Sequence, residues 1–193
     1  MTAIAQERGA CRVGQGRSTL LDRDYDEHVL GGPNAHQHWY RARNHLDGPV
    51  LGPLRLVLNY VVIYACKHLP SLTLKRWIFR RLGMRLGRSV TIASGATLDY
   101  FFPELIAIGD HTIVGMDAMI LTHEFLHDRF RCGRVRIGAN CLVGANSTVL
   151  AGVTLGDGTT VSAMSLVHKG TTPGAFVGGV PIRVLSRRGE VAP

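Results

Sequence analysis

Two histidines, His123 and His127, stand four residues apart among Glu124, Asp128, Arg129 and Arg131, a dense set of ionisable side chains. Histidine titrates near neutral pH, so it is the natural general base for taking a proton from a hydroxyl or an amine. A neighbouring carboxylate, Glu124 or Asp128, would orient the ring and leave one nitrogen free to act. A solvated loop would carry the same residue types. The difference lies in whether the surrounding chain holds His123 still.

That surrounding chain is highly regular. Ile137, Val143, Val149, Leu155, Val161 and Val167 recur every six residues, a period that fits neither a helix face nor a flat strand. It fits a chain that turns a corner every six residues, with one aliphatic side chain pointing inward from each side of a triangular coil. Upstream, Leu86, Ile92 and Leu98 form one phase and Ile108, Val114 and Ile120 another. The phase shifts at 100–107, where Pro103 would interrupt a ladder, and breaks again over an excursion loop at about 121–136. Four triangles with two excursions thus account for residues 86–167, and the fold class is an all-β repeat, a parallel β-helix. Gly138, Gly144, Gly156 and Ser162 follow the aliphatic positions, where a tight corner needs positive φ or close backbone approach. A sandwich of short strands has no reason to keep six aliphatics in phase. His123 comes just after the last rung of the second triangle, so its backbone is well fixed, and His127 lies farther out. The interior is filled with side chains, so chemistry sits outside, in a groove made with an excursion or with a neighbouring subunit.

At 193 residues the chain is one domain plus an extension, and the open ends of the repeat must be capped or paired. Residues 1–48 are expected as an arm that is mobile or orders only against the rest of the molecule. Residues 49–85 form a helical cap: 54–69 as a helix between two proline boundaries, its uncharged core at 56–66 too short to span a bilayer, then the basic stretch SLTLKRWIFRRLGMRLG. This second stretch would cover the first coil or lie on a membrane surface. The need of an exposed rung for a lid favours covering, and peripheral membrane contact through residues 54–85 stays open. The β-helix domain runs over 86–184, with the chain leaving the coil at Pro173, and 185–193 is a tail. The formal charge of +8 comes with no nucleic-acid motif, which points to anionic lipid or a polyanionic small molecule rather than nucleic acid. Cys11, Cys66, Cys132 and Cys141 show no metal spacing, and the first residues lack the apolar centre of a signal peptide. A reduced, cytoplasmic protein is expected.

The stretch IGDHTIVGMDAMILTHEFLHD, followed by VRIGANCLVGANSTVLAGVTLGDGTTVSAMSLVHKGTTPGAFVGGVPIRVL, resembles the hexapeptide-repeat acyltransferases, most of all the galactoside, maltose and nodulation-factor O-acetyltransferase branch. The resemblance covers residues 86 to about 186, and Gly179-Val180-Pro181-Ile182-Arg183 matches the closing G-x-P-x-R/K motif. It implies a left-handed parallel β-helix, an exception to right-handed crossovers. It also implies a homotrimer with sites in the grooves between subunits, and acetyl-coenzyme A as donor to a hydroxyl or amine of a small-molecule acceptor, with no metal. His123, in Ile120-Leu121-Thr122-His123, corresponds to the catalytic histidine. Glu124 stands beside it as a catalytic partner, and His127 is the fallback base or an acceptor contact. The backbone N–H at Ala145 corresponds to the oxyanion donor, and the backbone at Ala163 to the pantetheine contact. Lys169 and Arg183, with His168 beside them, would meet the coenzyme phosphates. Asp99 is the nearest match to the family's acceptor-binding Asn or Asp. Where many relatives carry Trp before the Ile-Gly of the coil after the catalytic loop, this chain has Leu142, so sugar specificity does not carry over.

Two rivals remain. A γ-type carbonic anhydrase would gather three histidines around zinc, and His111, His123 and His127 are the candidates, but 143–152 holds no histidine. A non-catalytic β-helix scaffold or membrane-associated subunit is the other, and the intact C-terminal block argues against it.

Overall fold

Each six-residue repeat contributes a two-residue strand, and equivalent strands of successive coils pair in parallel into three sheets. The computed structural model describes residues 23–29, 40, 42–127 and 129–187. The first sheet stacks Leu86, Ile108, Ile137 and Leu155. The second stacks Ile92, Val114, Val143, Val161 and Val177, and the third Leu98, Ile120, Val149 and Val167. All thirteen side chains are buried, so the four triangles in the sequence are four coils around one aliphatic core.

The corners divide two tasks that the sequence had combined. A Cβ on Gly109 would lie 2.5 Å from Ala139 N, and one on Gly138 would lie 2.7 Å from Asp157 N. The glycine after each inward residue is therefore there to let coils stack closely. Positive φ falls two residues later, at Asn140 (54°) and Asn146 (57°), side chains that tolerate the left-handed region.

Both excursions leave from the corner between the third and first sheets. The first carries the 3₁₀ turn Pro103–Leu105. The second is an antiparallel hairpin of His123–Phe125 and Arg129–Cys132, to which Asp26–Val29 adds a third strand. Asp24 N–H donates to Gly152 O (2.9 Å), so residues 23–29 are ordered against the coil. Most of the expected arm lies outside the described residues.

Helix α1 (Asn44–His68) starts well before the expected boundary and contains Pro53; the backbone break is at Gly48, with φ 82° and ψ 172°. Helix α2 (Leu72–Arg81) is capped by Ser71, whose Oγ accepts from Leu74 N–H. It lies across the first coil, with Phe79 joining the core. Arg80 donates to the carbonyls of Leu86 and Gly87, and Lys75 Nζ to those of Ile92 and Ala93. These bonds satisfy rung carbonyls that have no coil beneath them. Burial pushes the Lys75 ammonium below its ordinary range, with Cys66 opposing weakly.

At the other end the chain does not leave the coil at Pro173. Ala175–Gly178 continues the second sheet, and Arg183–Arg187 returns antiparallel beside it. Residues 188–193 of the tail lie outside the described residues. Cys132 is disulfide-bonded, against the reduced state expected of all four cysteines, while Cys66 and Cys141 are free and buried.

The two corner roles separate experimentally. Gly138→Ala is expected to lower the unfolding free energy by about 1–3 kcal/mol through overpacking, whereas Asn140→Gly stays within about 0.5 kcal/mol. Urea melts of both variants check this, and equal losses would contradict the division.

Candidate active site

Leu98 and Ile120 are stacked neighbours in the third sheet. The residues that follow each one therefore leave the same corner one above the other, about 4.8 Å apart. This places Asp99 under Leu121, Thr122 and His123. The Asp99 side chain is wholly buried, and its oxygens accept from Phe101 N–H (2.7 Å), Thr122 N–H (2.7 Å) and His123 N–H (3.1 Å). The fourth partner is His123 Nδ1 at 2.5 Å. Burial alone would raise the Asp99 carboxyl, but the His123 charge, its hydrogen bond and the backbone donors outweigh it and hold the group below the usual carboxylate range.

An ionised carboxylate only accepts hydrogen bonds, so Nδ1 carries a proton, and in the neutral tautomer Nε2 is the bare nitrogen. The imidazole packs against Phe101 (4.1 Å between ring centroids), Phe125 (5.1 Å) and Phe102 (6.4 Å). Its side chain is 13% exposed, shielded but within reach. This is a fixed, oriented base in an apolar wall.

The other expected site residues are placed unevenly. Glu124 does not orient His123: it pairs with Arg23, which also donates to Ala151 O (2.8 Å). Asp99 does not face an acceptor, because its oxygens are buried and taken. His127 is exposed near the hairpin tip, and Asp128 lies outside the described residues. Lys169 and Arg183 line one pocket with Thr171 and Ile182, beside His168, whose Nδ1 is buried with no partner. Ala145 and Ala163 sit at a different corner, between the second and third sheets, where Met164 N–H donates to Ala145 O (2.8 Å). One side of the triangle, roughly 15–20 Å at strand rise, separates that corner from His123. His111 is at the remaining corner, between the first and second sheets, so His111 and His123 do not converge as zinc ligands. Leu142 lies on the outer face of the second sheet beside Ile113.

Sequence reasoning missed the Asp99–His123 pair. Its signal was there in the repeat: Asp99 follows Leu98 directly, and His123 follows Ile120 by three.

Residues 134–163 match the family model described as the hexapeptide repeat of succinyl-transferase. Over 170 residues, 88% of this chain and 94% of the relative, the chain is 38% identical to the Bacillus subtilis (strain 168) protein named "Putative acetyltransferase YvoF". The chain belongs to the hexapeptide-repeat acyltransferase family. Among solved structures, the acyltransferase resembles the hexapeptide-repeat acetyltransferase of Vibrio cholerae O1 biovar eltor complexed with acetyl-coenzyme A. The TM-score is 0.60 at 19% identity, over 72% of this chain and 91% of that one. It also resembles a maltose O-acetyltransferase of Clostridium difficile 630, with a TM-score of 0.57 at 20% identity, over 74% and 90%. These likenesses identify the coil of the acyltransferase as a left-handed β-helix.

Asp99→Asn removes the charge and keeps the shape. It is expected to cost about 3 kcal/mol or more, as for breaking a buried pair. Because the Asp99 pKa is depressed, its stabilising contribution is complete above the ordinary carboxylate range and vanishes as pH falls through the lowered value. Urea melts should therefore show the gap between wild type and variant closing in strong acid. A gap that stays constant there would mean that Asp99 is not ionised in the native state.

Proposed function

We propose that this acyltransferase moves an acetyl group from acetyl-coenzyme A to a hydroxyl or amine of a small-molecule acceptor, with His123 as general base. The observation that carries this reading is the His123–Asp99 contact, which leaves Nε2 free at an apolar surface. His123 Nε2 takes the acceptor's proton as its oxygen or nitrogen attacks the thioester carbonyl. The new C–O or C–N bond forms, the C–S bond breaks, and the proton passes from His123 to the departing thiolate. The step needs no metal. Asp99 is a positioning residue: it fixes the tautomer and lies 2.5 Å from the imidazolium as it forms. Such general-base catalysis is worth about 10²–10⁴-fold. Glu124 takes no part, and His127 lies on the acceptor side.

The donor's phosphates would be held by Lys169 and Arg183, with the backbone at Ala163 along the pantetheine arm. The buried, unpartnered Nδ1 of His168 beside this pocket suits a phosphate or amide neighbour. The Ala145 N–H would receive the oxyanion, a contact worth about 10²–10³-fold. Since Ala145 and His123 lie on different corners, the complete site is drawn from two copies, which supports a homotrimer. Ile113, Leu142 and Phe176, 37–45% exposed on the outer face of the second sheet, are suited to the contact between copies.

Three measurements test this reading. His123→Ala is expected to lower kcat for coenzyme A release at least a hundredfold across a panel of hydroxyl and amine acceptors, while acetyl-coenzyme A still raises Tm. Unchanged turnover in that variant, with loss in His127→Ala, would move the base to His127. At about 100 times its Kd the donor should stabilise by about 2.7 kcal/mol, and Lys169→Ala/Arg183→Ala should remove most of that. Light scattering should give a trimer mass for wild type and a lower mass for Leu142→Lys; a wild-type monomer would refute the shared site.

A further inference from the structure

Helix α1 turns a broad apolar face away from the β-helix. Val50, Leu54, Val57, Val61 and Tyr64 recur along it at steps of three and four, with Leu51, Leu58 and Tyr60 alongside, all 49–76% exposed. This is a continuous apolar stripe facing outward, on a helix whose inward side is largely apolar too. The opposite side is committed to the protein. Leu56, Asn59, Ile63 and Cys66 are buried, and Asn59 Nδ2 donates to Tyr100 O (3.0 Å). Val50–His68 is long and apolar enough to cross a membrane, contrary to the short core read from the sequence. Crossing would strip the packed side from the coil and leave Asn59 unpaired in hydrocarbon. An orientation in the plane of a surface keeps both faces satisfied.

Charge says which surface. Residues 48–98 hold eight Lys and Arg and no Asp or Glu, while the rest of the chain balances fourteen against fourteen. Residues 48–98, which are most of α1 with α2 and the first coil, thus carry a net charge equal to the whole formal +8, with Asp47 paired to Arg55 and Asp110 to Arg88 at their edges. Arg55, Arg80, Arg81, Arg85 and Arg88 are exposed there, and the Arg81 guanidinium lies 5.0 Å from the ring of the exposed Trp77. Apolar side chains rimmed by arginine and aromatic rings match an anionic headgroup layer over acyl chains. A second copy of this chain would bring an equally basic surface to the same place.

We propose that α1 seats the enzyme on an anionic bilayer, in the plane of the headgroups, and that the acceptor is an amphipathic molecule taken from that layer. The second half rests on the acyltransferase reading above. A pocket lined by Leu56, Val57, Tyr60 and Tyr100 lies beside the exposed stripe. From it, ring contacts run inward: Tyr60 to Tyr100 at 5.3 Å, Tyr100 to Phe101 at 4.9 Å, and Phe101 to His123 at 4.1 Å. An apolar tail seats in this pocket against Tyr60 and Tyr100, with the buried Phe101 between them and His123, and a fully polar acceptor would leave the pocket wet.

The test uses the full chain and vesicles of phosphatidylcholine, with and without 30% phosphatidylglycerol. Wild type is expected to co-sediment at least tenfold more with the anionic vesicles, and less as salt rises. Leu54→Glu/Val61→Glu should lose that binding at least tenfold while keeping its Tm and its acetyl-coenzyme A shift, and Arg81→Glu/Arg85→Glu should lose the anionic preference. No sedimentation of wild type overturns the docking proposal. A fall in lipid-free mass for Leu54→Glu/Val61→Glu also overturns it, and gives the face to a second copy. For the acceptor, kcat/KM with octylamine and octanol should exceed that with ethylamine and ethanol at least tenfold, and Tyr60→Ala should reduce the gap. Equal values refute the amphipathic acceptor while leaving acyl transfer standing. Absence of coenzyme A release from any acceptor refutes the acyltransferase reading, whatever the vesicles show.

Discussion

The vertical hydrogen bonds between coils are the constraint on which everything else depends. Because Leu98 pairs in register with Ile120, whatever follows one stands beneath whatever follows the other. The Asp99–His123 contact is thus a product of coil stacking, with no need for a dedicated loop geometry to bring two distant residues together. The stacking itself depends on glycine at Gly109, Gly138 and Gly156, where a side chain would strike the backbone of the next coil. An error of one residue in the register would turn every inward aliphatic to solvent and would also separate His123 from Asp99. Fold and site therefore stand or fall on the same bonds.

A rigid prism of this kind has little internal freedom, and the chain puts its chemistry where regularity is interrupted. Both excursions leave one corner, and they meet around His123: Phe101 and Phe102 come from the first, Phe125 from the second. The two contributions are complementary. The first excursion supplies the buried carboxylate and most of the apolar wall, and the second supplies the imidazole. Segment 23–29 adds a strand to the hairpin and anchors it through Arg23, which reaches both Glu124 and the coil carbonyl at Ala151. The hairpin carrying His123 is thereby tied to the coil above it.

Much of this was legible in the sequence, and the parts that were not share a cause. The six-residue period named the twelve inward aliphatics of the four triangles, because inward positions are decided by burial, which the apolar pattern records directly. The fixed placement of His123 was legible because it follows a rung. Glu124 was misread as its partner because proximity along the chain is a poor guide in a coil, where the nearest side chain is often about twenty residues away. Asp99 was noticed as a polar residue on a rung but given an outward role, since a sequence does not say that its oxygens are already engaged by three N–H groups and a ring. The helix α1 was cut short at Pro53 because proline usually marks a boundary; here Gly48 provides the break and Pro53 lies beyond it. The continuation of the second sheet past Pro173 was hidden because the spacing from Val161 to Val177 is sixteen residues instead of eighteen.

The placement of both excursions on a single corner has a consequence for how such an enzyme can diversify. Each coil touches only the coils above and below, and doubling the length of a flexible loop adds only about 0.6 kcal/mol of closure cost. Insertions at that corner can accumulate without disturbing the register of the prism or the cation-lined pocket at its far end. The architecture thus separates a part free to vary from a part bound to remain, and a lineage built on it can reshape the corner around His123 while keeping the cation-lined pocket unchanged.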